Sequence, residues 1–136
     1  MSYLVDTDWL IDVLVGIPEA VATLEDLTPD GLGISIVSVG EIYEGAYRTD
    51  DPAERLARYR ALLAPFPVFP LTDPIMERFA RTRALLRRRG ELIPDRDLLI
   101  AATALEHDLT LLTRNRRHFE RISDLKLHQT SSQRRG

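Results

Sequence analysis

Four polar side chains far apart in the chain, Asp6, Glu41, Asp97 and Asn115, are of types and in settings that could share one piece of chemistry. Asp6 follows the apolar run Tyr3-Leu4-Val5, and Asp97 precedes Leu98-Leu99-Ile100-Ala101-Ala102. Glu41 lies about one turn beyond Leu32-Gly33-Ile34-Ser35-Ile36-Val37, and Asn115 follows Leu109 to Leu112 across Thr113-Arg114. Clustered carboxylates repel, and a buried cluster stays ionised only where a cation neutralises it; hard oxygen donors select Mg²⁺ or Mn²⁺. Such a cation generates hydroxide from water and stabilises charge on a phosphoryl oxygen, so phosphodiester hydrolysis is the expected reaction class. The chain has no cysteine, which excludes a disulfide framework, a thiolate zinc site and a cysteine nucleophile. Lys126 is the only lysine, which excludes mechanisms that need a lysine in mid-chain.

Each of these residues also has a purely structural role open to it. Asp6-Thr7-Asp8 suits the start of the helix that follows, with Asp8 the better capping candidate and Asp6 the better ligand. Ser38-Val39-Gly40-Glu41 has the spacing of a capping box, so Glu41 reads equally as a capping acid. Asp95 and Asp97 both fall in a first helical turn, where the backbone dipole favours acids, and Asn115 suits the cap of the next short helix. Arg81, Arg83, Arg87, Arg88 and Arg89 could hold phosphates, although cations near a helix C-terminus and a solvated face are the default. Arg114, Arg116, Arg117 and His118 flank the acids and are better placed for backbone contacts.

The elements that must position these groups alternate. Strands are expected at Tyr3–Val5, Leu32–Val37, Val68-Phe69, Leu109–Leu112 and near Leu125–Leu127. Helices are expected over Trp9–Leu14, Pro18–Leu27, Ser38–Tyr47, Pro52–Ala64, Asp73 to Gly90, Pro94–His107 and Arg116–Arg121. That order predicts an α/β fold with a parallel sheet covered by helices on both faces. In such sheets ligands bind beyond the carboxyl ends of the strands, where the strand order reverses. Asp6, the Ser38 region and Asn115 all follow strands, so the acids can converge there.

A length of 136 residues with 44% hydrophobic content fits one domain, read as 1–128, with the polar stretch 129–136 a disordered tail. An acid at position 6 breaks any signal-peptide core and no apolar run reaches membrane-spanning length, so a soluble cytoplasmic protein is expected. The formal net charge of −3 argues against holding nucleic acid by bulk electrostatics and suits a site rich in carboxylates.

Taken together, Leu4-Val5-Asp6-Thr7-Asp8-Trp9-Leu10-Ile11-Asp12, Ser35-Ile36-Val37-Ser38-Val39-Gly40-Glu41-Ile42-Tyr43-Glu44-Gly45-Ala46 and the stretch from Ile93 to Arg114 resemble the PIN domains of VapC toxins. The most specific segment is Pro94-Asp95-Arg96-Asp97-Leu98-Leu99-Ile100-Ala101-Ala102, followed by Leu111-Leu112-Thr113-Arg114-Asn115 and Phe119. The resemblance spans nearly the whole chain. It implies a three-layer α/β/α sandwich, an acidic pocket for Mg²⁺ or Mn²⁺, and endonucleolytic cleavage of RNA as the toxin of a VapBC toxin–antitoxin pair. It also implies a VapB-like antitoxin as partner and a homodimer or a toxin–antitoxin hetero-oligomer. By the same resemblance Asp6 matches the first metal ligand, Glu41 the second acid and Asp97 the third, with Asp95 the less favoured alternative. Asp6 and Asp97 are the expected metal ligands. Asn115 departs from the pattern, since many relatives carry a fourth acid there; a neutral oxygen in its place predicts one firmly held cation.

Two rivals remain at this level. Asp6-Thr7-Asp8 after a strand also resembles the nucleophile motif of haloacid-dehalogenase-like phosphatases, but these need a mid-chain lysine. The other rival is a catalytically weak PIN scaffold that acts by partner binding. An antitoxin is expected to lay a helical segment in an apolar groove and push an arginine towards the acids. The RNA target is expected to be set by loop shape and exposed bases.

Overall fold

The structure, a computed structural model, describes residues 2–129. Of the polar stretch read as a tail, residues 130–136 lie outside the described residues. The order of elements is β1 (Tyr3–Val5), α1 (Thr7–Leu14), α2 (Pro18–Leu27), a 3-10 turn (Thr28–Asp30), β2 (Leu32–Ser35), α3 (Ile36–Ala46), α4 (Pro52–Leu63), β3 (Val68–Phe69), α5 (Asp73–Arg88), α6 (Asp95–Glu106), β4 (Thr110–Leu112) and α7 (Arg116–Phe119).

The four strands form a parallel sheet in the order β3-β2-β1-β4. The chain steps outward from β1 to β3 and then returns to the far side of β1 to lay down β4. The strand order therefore reverses between β1 and β4, and the carboxyl ends of these two strands are where a sheet of this kind binds its ligands.

Successive strand residues face opposite sides of the sheet, and this sorts the apolar residues into two cores. Leu4 and its β4 neighbour Leu111 face one side, with Leu86, Leu98, Ile100 and Phe119. Val5 and its neighbour Leu112 face the other, with Trp9, Leu10, Ile34 and Ile42. Helices thus cover both faces, giving the expected three layers. Each fully buried aliphatic side chain contributes roughly 1.5–3 kcal/mol relative to exposure, which is why such short strands hold. Gly33 permits the approach of β3: a Cβ there would lie 2.4 Å from Phe69 Cε2.

Four expectations are corrected. Strand β2 ends at Ser35, because the Ser35 hydroxyl accepts a hydrogen bond from Val37 N–H and starts α3 two residues early. Ser38 is consequently inside the helix, and the capping box with Glu41 does not form. The expected last strand reduces to one parallel bridge, Leu111 with Leu127. Helix α6 carries no side-chain cap, so neither Asp95 nor Asp97 spends its carboxylate on the backbone there.

Candidate active site

Asp6, and not the expected Asp8, is the N-cap of α1, and it is only 5% exposed. Its Oδ1 accepts from Thr7 N–H at 2.8 Å, and its Oδ2 accepts from the Thr113 hydroxyl at 2.6 Å. Thr113 immediately follows β4, so these bonds tie together the two strand ends. Burial pushes the Asp6 carboxyl above its ordinary range, and the charge of Asp97 adds to this.

Asp97 lies in the first turn of α6 and is 1% exposed. Its Oδ2 accepts from Asn115 Nδ2 at 3.3 Å and lies 2.7 Å from His118 Nδ1. Its Oδ1 is buried and accepts no hydrogen bond among the described residues, with Arg96 Nε 3.6 Å away. A buried carboxylate oxygen without a donor is costly unless something positive completes it.

Glu41 reaches the same place from α3. Its Oε1 accepts from the Thr7 hydroxyl at 2.5 Å, and Thr7 Oγ1 also bonds Ser38 Oγ at 2.8 Å. Its Oε2 pairs closely with Arg96 Nη1. Hydrogen bonds and two ion pairs close a ring: Asp6 to Thr113, Thr113 to Asn115 N–H at 3.0 Å, Asn115 to Asp97, Asp97 to Arg96 by the 3.6 Å ion pair, Arg96 to Glu41 by the second ion pair, Glu41 to Thr7, and Thr7 back to Asp6. All four residues singled out from sequence belong to this ring. Asp95 does not, because its carboxylate turns outward to Arg83 at 2.8 Å.

Asn115 stands at the N-cap position of α7 but makes no side-chain cap; its amide nitrogen instead donates to Asp97 Oδ2 and lies 2.8 Å from His118 Nδ1. It presents a donor to Asp97 where a fourth acid would present a charge. Asp8 accepts from Trp9 N–H at 2.7 Å and from Arg114 N–H at 3.1 Å. Burial, followed by the charge of Asp6, pushes its carboxyl up to about 6.

Several members of the site lay beyond sequence reasoning: Thr7, Ser38, Arg96 and Thr113, together with His118 in its bond to Asp97. Their signal was only adjacency to the acids. The flanking cations mostly serve the fold. Arg114 pairs with Asp12 at 2.9 Å and lies 3.9 Å over the Trp9 ring, and Arg116 pairs with Glu120 at 3.4 Å. Arg117 makes no ion pair among the described residues. Lys126 pairs with Asp108 at 2.7 Å, just before β4 and thus beyond the opposite ends of the strands from Asp6, which removes the phosphatase reading.

Among the described residues no three acidic or imidazole side chains form a ready-made metal cage. The donor set nevertheless fits one hard cation. Asp6 and Asp97 are carboxylates, Asp97 Oδ1 accepts no hydrogen bond, and Mg²⁺ takes one or two carboxylates and keeps waters. Arg96 supplies positive charge between Glu41 and Asp97. No helix of the described residues is long and apolar enough to cross a membrane.

Comparison with known proteins agrees with this fold. The chain is 43% identical over 124 residues to Ribonuclease VapC10 of Mycobacterium tuberculosis, covering 90% of each chain. Its fold superposes with a TM-score of 0.84 on VapBC-1 from nontypeable Haemophilus influenzae, at 26% identity and covering 94% of this chain and 97% of that one. It superposes with a TM-score of 0.86 on VapBC2 from Rickettsia felis, solved bound to a promoter DNA fragment, at 24% identity and covering 94% and 98%. Residues 3–125 match the PIN domain, and with the parallel sheet, the reversal at β1 and the acids gathered there, the chain belongs to the PIN-domain family.

Proposed function

We infer that this chain is a metal-dependent endoribonuclease, the toxin of a VapBC-type pair, with Asp6 and Asp97 as ligands of a Mg²⁺ or Mn²⁺ ion. Glu41 completes the acidic pocket, and Asn115 positions Asp97. The observation that carries this reading is the convergence of the three acids beyond the carboxyl ends of β1 and β4, joined by hydrogen bonds and ion pairs, with Asp97 Oδ1 buried and accepting no hydrogen bond, 3.6 Å from Arg96 Nε. Kinship with proteins named ribonucleases and with VapBC complexes supplies RNA as the substrate class and a VapB-like antitoxin as the partner.

When bound, the cation would supply hydroxide from water and stabilise charge on the phosphoryl oxygen. The chain's own groups do the positioning. Thr113 and the Thr7 amide fix both oxygens of Asp6, while Asn115 and His118 hold Asp97 Oδ2 and leave Oδ1 without a hydrogen bond. Glu41 is held by Thr7, and Arg96 offsets its charge in the metal-free chain.

An apolar groove of ≈ 200 Å³ opens beside Glu41, walled by Ile11, Leu14, Val15, Ile42 and Tyr59. Ile11 and Val15 are 46% and 62% exposed, an unusual outlay of apolar surface on one helix. A helical segment of the antitoxin fits such a groove and would bring a basic side chain to the acids. The toxin is accordingly expected as a homodimer or as a toxin–antitoxin hetero-oligomer.

The test is calorimetric titration of Mn²⁺ into wild type, Asp6→Asn and Asp97→Asn, with cleavage of a structured RNA panel scored in the same samples. Binding and cleavage that both require the two acids support the reading. A wild type that binds no divalent ion and cuts nothing leaves a partner-binding scaffold.

A further inference from the structure

The arginines of α5 divide into two groups. Arg83 is committed to Asp95, and Arg87 is not among the residues lining the cleft of ≈ 310 Å³ that Arg81, Arg88 and Arg89 line together with Arg78 and Arg121. Arg78 is paired with Glu106 at 3.0 Å, and Arg121 donates to the carbonyls of Glu91 and Leu92 at 3.2 and 3.0 Å. The side chains of Arg81, Arg88 and Arg89 make no ion pair or hydrogen bond among the described residues, and Asp124 is the one acid lining the cleft there. The chain as a whole carries a formal charge of −3, so this concentration of unpaired cations runs against the rest of the molecule.

Leu85, Leu86, Leu105 and Ile122 add apolar lining to the cleft. Guanidinium groups beside apolar surface keep their planar forks while losing part of their hydration, which favours phosphate oxygens over water as partners. A helix C-terminus alone accounts for cations in the last turn of α5, at Arg88 and Arg89. It does not account for Arg81, two turns earlier, or for Arg121, which comes from the segment after α7. Helix α5 packs antiparallel on α6: Arg83 meets Asp95 at the start of α6, and Arg78 meets Glu106 at its end. Arg88 and Arg89 therefore lie towards the end of α6 that carries Asp97.

We propose that this cleft is a second RNA-binding site, outside the acidic pocket, in which Arg81, Arg88 and Arg89 grip the phosphate backbone of a substrate strand whose scissile bond lies at Asp6 and Asp97. The proposal rests on the ribonuclease reading for its substrate. The site explains how an acidic protein with a carboxylate-lined centre holds a polyanion: the attraction is supplied at a distance from the acids. It also makes substrate length matter, because only an RNA that spans both places uses it.

The test measures binding separately from cleavage. A labelled single-stranded RNA is titrated by fluorescence anisotropy in EDTA at several salt concentrations, using wild type, Arg81→Gln/Arg88→Gln/Arg89→Gln, and the single variants Arg88→Gln and Arg87→Gln. All four positions are exposed, and melting curves check that the variants fold. Releasing three phosphates lowers the slope of log affinity against log salt by about 2, with affinity falling roughly tenfold or more at low salt. Arg88→Gln weakens binding and its neighbour Arg87→Gln does not. Equal effects at 87 and 88 mean diffuse attraction and overturn the cleft, as does an unchanged slope in the triple variant or a wild type that binds no RNA in EDTA. Cleavage assayed separately with Mn²⁺ tells the two readings apart. Cleft-dependent binding without cleavage removes the ribonuclease and leaves the site; cleavage with cleft-independent binding does the reverse.

Discussion

Substituting Asp8→Asn in the metal-free protein gives a pH-dependent gain in stability. The carboxyl of Asp8 stands at about 6 in the fold against an ordinary 3.8, because of burial first and the Asp6 charge second. A raised carboxyl means the folded state holds its proton longer, so the contribution is intact below the unfolded value and lost as pH climbs through the folded one. A rise of about 2 units corresponds to a penalty of about 3 kcal/mol at neutral pH, of which about 2 kcal/mol develops between about pH 4.5 and about pH 7.5. For a domain of this size that is roughly 7 °C in Tm. Asparagine keeps one oxygen for the two N–H groups of Trp9 and Arg114, so it carries a fixed loss of about 1 kcal/mol that does not vary with pH. Melting wild type and variant in EDTA across that range and taking the difference cancels every other titrating group. The difference should swing in favour of the variant as pH rises. A difference that stays flat to within about 0.5 kcal/mol would refute the assignment of repulsion and burial to Asp8.

Three further outcomes are expected. Thr113→Val removes the hydroxyl that donates to Asp6 and accepts from Asn115 N–H; a charge-assisted bond of about 1.5–3 kcal/mol is lost, so Mn²⁺ affinity and RNA cleavage fall roughly 10- to 100-fold by calorimetry and initial rates. Asn115→Asp sets a second negative charge against Asp97, which raises Mn²⁺ affinity about tenfold and lowers the Tm measured in EDTA; a variant that gains neither affinity nor cleavage rate counts against the positioning role. Gly33→Ala forces Phe69 away from β2 and costs about 1–3 kcal/mol in urea denaturation, and Phe69→Leu in the same chain recovers part of it.

Much of the architecture was legible because parallel strands buried on both faces leave a blunt signal. Leu4-Val5 and Leu111-Leu112 are apolar runs bounded by polar junctions, and Gly90, at φ +67, marks the end of α5 as a helix-terminating glycine should. The start of α3 was misplaced because Ile36 and Val37 favour strands, while Ser35, which caps the helix, looked like a strand residue until its hydroxyl was seen bonded to Val37 N–H. Glu41 could not be resolved between cap and pocket by spacing. Only Thr7 and Arg96, which stand 34 and 55 residues away from it in the chain, give its carboxylate its partners.

The sequence by itself determined which residue types were available: three well-placed acids, an asparagine in the place of a fourth, no cysteine, one lysine, and an alternation of strand and helix that compels a covered parallel sheet. Tertiary structure decided the rest. The return of β4 to the far side of β1 reverses the strand order and brings Thr113 to Asp6. Packing of α6 against that edge buries Asp97, aims Asn115 and His118 at one of its oxygens and leaves the other without a hydrogen bond. Contacts of this kind join residues dozens of positions apart, and their free energy depends on burial and on which neighbours share the space, neither of which is written in local spacing.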